Sequence, residues 1–179
     1  MMKKILAFSG SNSSTSINQK LVEFIASEIK IHTTRVINLV NYTAPIYSED
    51  QEKNNAFPGM ILALKQEISE ADALIISVNE HNGSWSAFFK NTVDWLSRLD
   101  RNFLEGKKIL VMSTSPGKRG GVGALEYAKS VFPRFGADII DSFSFPSFYD
   151  NFSIESKTVT DETLLLGLRE VLSTFAHQI

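Results

Sequence analysis

Short apolar runs alternate with longer amphipathic segments along this chain. The apolar runs have the length and continuous hydrophobicity of strands that are buried on both faces of a sheet. They predict strands at residues 3–9, 33–39, 73–78, 108–113 and 138–145. Between them, apolar residues recur at every third or fourth position, which is typical of helices that pack on one face. These segments predict helices at residues 17–29, 59–70, 87–99, 124–135 and 161–177.

Strands that alternate with helices predict a parallel sheet with helices on both faces. Right-handed crossovers reduce the possible topologies, and the strand order 2-1-3-4-5 is one of the two common solutions. We therefore predict an α/β fold with a flavodoxin-like, doubly wound, five-stranded parallel sheet in that order. A length of 179 residues fits a single domain, so residues 1–179 are predicted to form one.

The loop after the first predicted strand is unusually rich in hydrogen-bonding side chains. Seven of the eight residues at positions 11–18 carry a hydroxyl or an amide. In a sheet of this type, ligands bind at the carboxyl ends of the strands, near the switch point between strands 1 and 3. The helix that follows adds unpaired N–H groups and a positive dipole end, so we predict a phosphate site. The alternative is a polar turn with a helix cap at Thr15 or Ser16. The candidate residues are Ser9, Ser11, Ser13, Ser16, Ile17 and Asn18.

The kind of phosphate follows from what this loop lacks. It has neither the Gly-Lys-Ser/Thr of a nucleoside triphosphate loop nor the three glycines of a dinucleotide fingerprint. A set of side-chain hydroxyls around one terminal phosphate suits a mononucleotide. Flavin mononucleotide, FMN, is the ligand expected on this strand order.

The loops after the third and fourth predicted strands would complete the site. Glycines there let backbone N–H groups approach a flat ring, and Lys118 with Arg119 adds positive charge. Each feature also has a simpler interpretation: a tight turn at Asn82-Gly83, a capping carboxylate at Glu80, a surface histidine at His81, and a solvated basic loop. The candidates are Asn79, Glu80, His81, Asn82, Gly83, Ser115, Pro116 and Gly117.

Composition excludes several classes of function. Eighteen basic and 20 acidic residues leave a formal charge of −2, so the charge gives no indication of nucleic-acid binding. The absence of cysteine excludes disulfides and thiolate chemistry, and the spacing of the histidines predicts no metal site. No apolar run is long enough to span a membrane, and the apolar N-terminus is interpreted as the first strand. We therefore expect a cytoplasmic protein.

In chain order, these segments resemble the NADPH-dependent FMN reductase family, which includes quinone, chromate and azo-dye reductases. The similarity runs over roughly residues 4–145. The resemblance implies that Ser11, Ser16 and Asn18 bind the FMN phosphate. It also implies that Glu80, Asn82 and Gly83 lie against the isoalloxazine, that Ser115 and Gly117 lie near its pyrimidine edge, and that the chain forms homodimers or homotetramers. The segments that carry it are Ser9-Gly10-Ser11, Ser16-Ile17-Asn18, Glu80-His81-Asn82-Gly83-Ser84, Phe89-Lys90-Asn91, Asp94-Trp95-Leu96-Ser97-Arg98, Ser115-Pro116-Gly117 and Gly120-Gly121.

Three positions, in two loops, depart from the family pattern. The phosphate loop of relatives often has arginine where this chain has Ser13, so a bidentate cation is missing. The loop after the third strand usually begins Pro-Glu-Tyr-Asn, whereas this chain has Asn79 and His81 in place of the proline and the tyrosine.

The resemblance implies an FMN-dependent NAD(P)H oxidoreductase. Hydride would pass from NAD(P)H through bound FMN to a quinone-like or other small oxidised acceptor in a ping-pong cycle, without a catalytic side-chain acid or base. The alternative is a flavin-binding electron carrier or redox sensor without NAD(P)H turnover. A third possibility is a hydrolase that uses Glu80.

Overall fold

The computed structural model describes residues 1–179, which form nine strands and seven α-helices. The strands are β1 (Lys4–Ser9), β2 (Thr33–Val36), β3 (Ala73–Ser77), β4 (Glu80–His81), β5 (Ser84–Trp85), β6 (Lys108–Thr114), β7 (Asp138–Phe145), β8 (Phe152–Ser153) and β9 (Thr158–Val159). The α-helices are α1 (Ile17–Glu28), α2 (Glu49–Asn54), α3 (Gly59–Glu70), α4 (Ala87–Leu99), α5 (Val122–Val131), α6 (Phe148–Asn151) and α7 (Glu162–Gln178).

The main sheet has five parallel strands in the order β2-β1-β3-β6-β7. Because β4 and β5 form a separate hairpin, this is the predicted order 2-1-3-4-5 of a flavodoxin-like fold. The chain leaves β1 toward β2 on one side, and β3 pairs with β1 on the other. The carboxyl ends of β1 and β3 therefore lie side by side at the switch point.

Two hydrophobic cores lie on opposite faces of the sheet, as predicted for a doubly wound fold. Successive residues of β1 contribute to different cores because side chains alternate along a strand. Helices α3, α4 and α5 cover the face to which Leu6 and Phe8 point. Helices α1 and α7 cover the face to which Ile5 and Ala7 point.

Several predicted boundaries differ from the structure for local reasons. The second strand was predicted to reach residue 39, but β2 ends at Val36 because the Asn38 side chain accepts a hydrogen bond from the Val40 N–H and starts a 3₁₀ helix at Leu39–Tyr42. The last predicted turn of the 124–135 helix is also 3₁₀, since Pro133 has no N–H to donate within an α-helix.

The long connection at residues 40–57 contains helix α2 and is fastened to α4. The indole N–H of Trp95 donates to the Pro45 carbonyl oxygen at 2.7 Å, and Asn91 accepts from the Tyr47 N–H at 2.8 Å. Hydrogen bonds from Arg98 and from the Tyr47 hydroxyl lower the pKa of the Glu52 carboxyl. These contacts explain why α4 carries polar residues on a face that meets a connection rather than solvent.

Residues 146–160 contain helix α6 and the β8–β9 hairpin, neither of which the sequence pattern predicted. Their apolar residues, including Phe148 and Phe152 with rings stacked 4.6 Å apart, join the core beneath α1.

None of the helices combines the length and the apolar character needed to cross a bilayer.

The end of β1 should tolerate no side chain beyond hydrogen. A Cβ atom at Gly10 would lie 2.7 Å from Cγ of Phe89, which is too close for a real contact. We expect Gly10→Ala to lower the free energy of unfolding by about 1–3 kcal/mol, measured by urea denaturation. The matched control is Gly59→Ala at the start of α3, where a Cβ meets nothing within 4 Å. This control should gain about 0.4–1 kcal/mol, and equal stabilities of the two variants would contradict the steric explanation.

Candidate functional site

The loops after β1, β3 and β6 meet in one open cleft at the carboxyl edge of the sheet. We name it the strand-end cleft, and its volume is about 260 Å³. It is lined by Ser11, Ser13, Thr15, Ser16, Ile17, Asn18, Asn79, Glu80, His81, Thr114, Ser115, Pro116 and Tyr149. A larger groove of about 350 Å³ lies at the opposite end of β1. Its Arg35 is paired with Glu67, so this cation is already engaged within the chain.

One buried amide side chain joins the three elements around the cleft. Asn18, in the first turn of α1, is only 3% exposed. Its Oδ1 accepts hydrogen bonds from the Thr114 N–H at 3.1 Å and from the Ser77 hydroxyl at 2.8 Å, and its Nδ2 donates to the Thr114 carbonyl oxygen at 3.2 Å. The first loop therefore cannot move independently of the ends of β3 and β6.

The hydroxyls of the first loop organise their own backbone. Ser16 caps α1 by accepting from the Gln19 N–H at 3.2 Å, as the turn-and-cap alternative predicted. Ser11 accepts from the Ser13 N–H at 3.1 Å, and the Ser13 hydroxyl lies 3.2 Å from that of Thr15. Capping accounts for only one of these hydroxyls, so the others hold the loop in an open curve around the cleft.

This curve leaves backbone donors without acceptors. No acceptor within the chain binds the N–H groups of Ser11, Asn12, Ser14, Ile17 and Asn18. Two of them belong to the first turn of α1, where no preceding carbonyl is in reach and the helix dipole is positive. An anion in the cleft would meet these donors together with exposed hydroxyls, so the residues fit a phosphate group.

The loop after β3 is a two-residue β-hairpin rather than an irregular loop. Asn82 and Gly83 have φ values of 53° and 79°, as a type I′ turn between β4 and β5 requires. Trp85 is buried beneath the hairpin, where its indole N–H donates to the Ala124 carbonyl oxygen at 3.0 Å. Its role is thus packing, and it does not line the cleft.

Glu80 caps helix α5. Its Oε2 accepts from the Ala124 N–H at 3.0 Å, and a Cβ at Gly123 would lie 2.7 Å from the same oxygen. The carboxylate is therefore held at a helix N-terminus, where negative charge is stabilised. This agrees with the simpler interpretation of Glu80.

Asn79 leaves a polar atom unpaired beside the cleft. It is 7% exposed, and its Oδ1 has no donor within the chain, whereas its Nδ2 lies 3.4 Å from Nε2 of the exposed His81. A buried acceptor without a partner costs about 1–3 kcal/mol, so a ligand donor here would be stabilising.

The loop after β6 is closed by the segment that follows β7. The Ser147 N–H donates to the Gly117 carbonyl oxygen at 2.9 Å, and the Phe148 N–H donates to the Ser115 carbonyl oxygen at 3.1 Å. Ser147 has a left-handed backbone with φ of 45°, and this places Tyr149, 60% exposed, at the cleft.

The structure brings most of the predicted site residues together. Ser9 is buried behind the loop, and Asn82, Gly83 and Gly117 lie in turns that do not line the cleft. Sequence reasoning missed Thr15, Thr114 and Tyr149 as lining residues. Tyr149 belongs to the aromatic stretch after β7, and only the two backbone hydrogen bonds described above bring it to the site.

The strand-end cleft contains no lysine or arginine. Lys118 and Arg119 are exposed on the far part of their loop and do not line it, in agreement with the solvated-loop alternative. An anion at the first loop would therefore meet neutral donors and the dipole of α1.

Known proteins resemble this chain in sequence and in fold. A family model described as NADPH-dependent FMN reductase matches residues 3–150. A quinone reductase from Escherichia coli is 29% identical over 137 residues, which cover 75% of this chain and 73% of that protein. An uncharacterised protein from Mycoplasma pneumoniae is 30% identical over 160 residues, covering 87% and 94%. The solved structure of FerB, a flavoenzyme NAD(P)H:(acceptor) oxidoreductase from Paracoccus denitrificans, superposes with a TM-score of 0.78 at 26% identity, covering 98% and 96%.

Asn18 provides a direct test of the geometry. Asn18→Leu keeps the volume but leaves the Thr114 N–H and the Ser77 hydroxyl without partners, so we expect a loss of at least about 2 kcal/mol in urea denaturation. The control is Asn12→Leu in the same loop, because Asn12 is exposed and should change stability by no more than about 0.5 kcal/mol. A small effect of Asn18→Leu on the free energy of unfolding would contradict the role of Asn18 in holding the first loop against the ends of β3 and β6.

Proposed function

Because this chain belongs to the NADPH-dependent FMN reductase family, we propose that it binds FMN in the strand-end cleft and reduces a quinone-like or other small oxidised acceptor. The protein is an oxidoreductase enzyme that uses FMN and NAD(P)H. The observation that carries the proposed location is the ring of unpaired N–H groups and hydroxyls at the N-terminus of α1.

In this proposal the first loop binds the FMN phosphate. The N–H groups of Ile17 and Asn18 and the hydroxyls of Ser13 and Thr15 supply donors to a dianion, and the dipole of α1 adds favourable charge. Ser11 and Ser16 also keep the loop in shape, because their oxygens accept backbone hydrogen bonds, as the Ser13 oxygen does from the Thr15 N–H.

The isoalloxazine would lie between the hairpin and the Ser115-Pro116-Gly117 turn. Asn79 lines the cleft on one side, and the exposed ring of Tyr149 limits it on the other. Both walls are held in place by hydrogen bonds. Glu80 and Trp85 attach the hairpin to α5, and the Ser147 N–H attaches the turn to the segment after β7. Such fixed walls support placement of a flat ring, which is the main contribution of a protein to cofactor chemistry.

The chemistry that FMN supplies when bound is hydride transfer from NAD(P)H to the acceptor in a ping-pong cycle, in which the oxidised pyridine nucleotide leaves before the acceptor enters. This chain contributes binding and orientation rather than a catalytic acid or base. Its one carboxylate at the cleft, Glu80, is engaged by the Ala124 N–H, which disfavours the hydrolase alternative.

We further propose that residues 1–179 act as one FMN-binding domain and that the chain forms a homodimer or homotetramer. Each hydrophobic core combines residues that are far apart in the chain, from Leu6 to Phe135 in one and from Ile5 to Phe175 in the other. This supports a single folding unit. The proposed oligomeric state is carried over from the resemblance to the family.

Rapid mixing with pyridine nucleotide tests the enzyme against the electron carrier. Protein reconstituted with FMN should lose absorbance at about 450 nm within seconds of adding NADPH or NADH, and should recover it when a quinone is added. FMN alone in buffer is the control. Binding of FMN without loss of absorbance with either nucleotide would favour the carrier or sensor.

Ser13 should limit how tightly FMN is held. Ser13→Arg restores a cation to the phosphate loop, and a charge-assisted hydrogen bond of about 1.5–3 kcal/mol predicts at least about tenfold tighter binding of FMN. Ser173→Arg on α7 adds the same charge away from the cleft and should leave affinity unchanged. Quenching of FMN fluorescence measures both, and equal affinities would contradict a phosphate site at this loop.

A further inference from the structure

The wall on the β6 side of the strand-end cleft has one hydroxyl that is free to donate. This wall consists of the end of β6, the turn that follows it, and Tyr149. The Thr114 hydroxyl donates to the last carbonyl oxygen of β7 at 2.8 Å, and the Ser115 hydroxyl donates to the Gly117 carbonyl oxygen at 3.3 Å. Pro116 has no donor. The Tyr149 hydroxyl makes no hydrogen bond within the chain, so it is the uncommitted side-chain donor of this wall.

Tyr149 belongs to a segment that is held in a defined position. The N–H groups of the two residues before it, Ser147 and Phe148, donate to carbonyl oxygens of the turn after β6 at 2.9 and 3.1 Å. The Phe148 side chain is fully buried, and its ring packs edge to face against the ring of Tyr149 at 5.6 Å. The left-handed backbone of Ser147 is unfavourable for a residue with a side chain and persists only where surrounding contacts determine it. The tyrosine is therefore fixed at the cleft although it is 60% exposed.

The same segment is packed against α1, whose N-terminus carries unpaired donors of the first loop. The ring of Phe148 stacks on that of Phe152, which in turn packs edge to face on Phe24 of α1 at 6.1 Å. All three rings belong to one buried core. Tyr149 and the first loop are thus positioned by one connected set of contacts, and both line the same cleft.

We propose that the Tyr149 hydroxyl donates a hydrogen bond to the phosphate of FMN, which makes Tyr149 a further cofactor-binding residue. This rests on the proposed binding of FMN. The phosphate carries the charge of the cofactor, and a hydrogen bond to an ionised oxygen is roughly twice as strong as one between neutral groups. A free hydroxyl therefore gains most from this part of FMN. In a cleft without lysine or arginine, Tyr149 supplies the phosphate with a donor that does not come from the first loop.

Removal of the hydroxyl alone tests this assignment. Tyr149→Phe keeps the ring and its packing on Phe148, and quenching of FMN fluorescence measures the dissociation constant. We expect at least about tenfold weaker binding of FMN, as the loss of one charge-assisted hydrogen bond would cause. Tyr127→Phe is the matched control, because Tyr127 on α5 packs against Trp85 and does not line the cleft. This control should bind FMN as tightly as the unmodified protein.

The ³¹P resonance of bound FMN shows whether the lost contact is one to the phosphate. At saturating FMN, Tyr149→Phe should shift this resonance relative to the unmodified protein, whereas Tyr127→Phe should leave it unchanged. Weaker binding with an unchanged resonance would place the hydroxyl at another part of FMN and overturn the proposal, and an unchanged affinity of Tyr149→Phe would overturn it too. Failure of the unmodified protein to bind FMN would instead contradict the proposed function on which it rests. Circular dichroism checks that each variant is folded.

Discussion

The side-chain amide of Asn18 is the interaction on which the site depends. An asparagine can accept and donate at once, and here it does both toward the same residue, Thr114, while also accepting from Ser77. It thereby fixes the N-terminus of α1 against the ends of β3 and β6. Because parallel strands end at one edge, a single side chain can join loops that are 59 and 96 residues apart in sequence. The unpaired donors of the first loop are useful only while this junction holds them in place.

The sheet order and the buried faces of the helices could be predicted, because they depend on the spacing of apolar residues along the chain. That spacing can be read directly from the sequence. Ala73–Ser77 is apolar at nearly every position because both faces of β3 are covered. The end of β2 could not be predicted in the same way, since a local hydrogen bond from Val40 to Asn38 competed with the strand pattern there. Residues 146–160 were missed because their structure depends on packing of Phe148 and Phe152 into a distant core.

Some features of the candidate site could likewise be predicted from the sequence, and others could not. The position of the Ser-rich loop followed from the fold, and the hairpin turn was implied by Asn82-Gly83. The partners of individual side chains did not follow, because the pattern that marks Asn18 as polar cannot distinguish a phosphate ligand from a structural joint. In the structure Asn18 has its side chain committed to the protein and its backbone N–H available. Tyr149 reached the cleft through tertiary hydrogen bonds that no local pattern records.

FMN is proposed to bind where the first loop meets the hairpin, with neutral donors holding its phosphate. Amide chemical shifts from ¹⁵N-labelled protein titrated with FMN test this location most directly. We expect saturable shifts concentrated at residues 11–18 and 79–83, with the shifts of the Ile17 and Asn18 N–H groups among the largest. Shifts concentrated at another surface, or no shift at Ile17 and Asn18 at saturation, would contradict it.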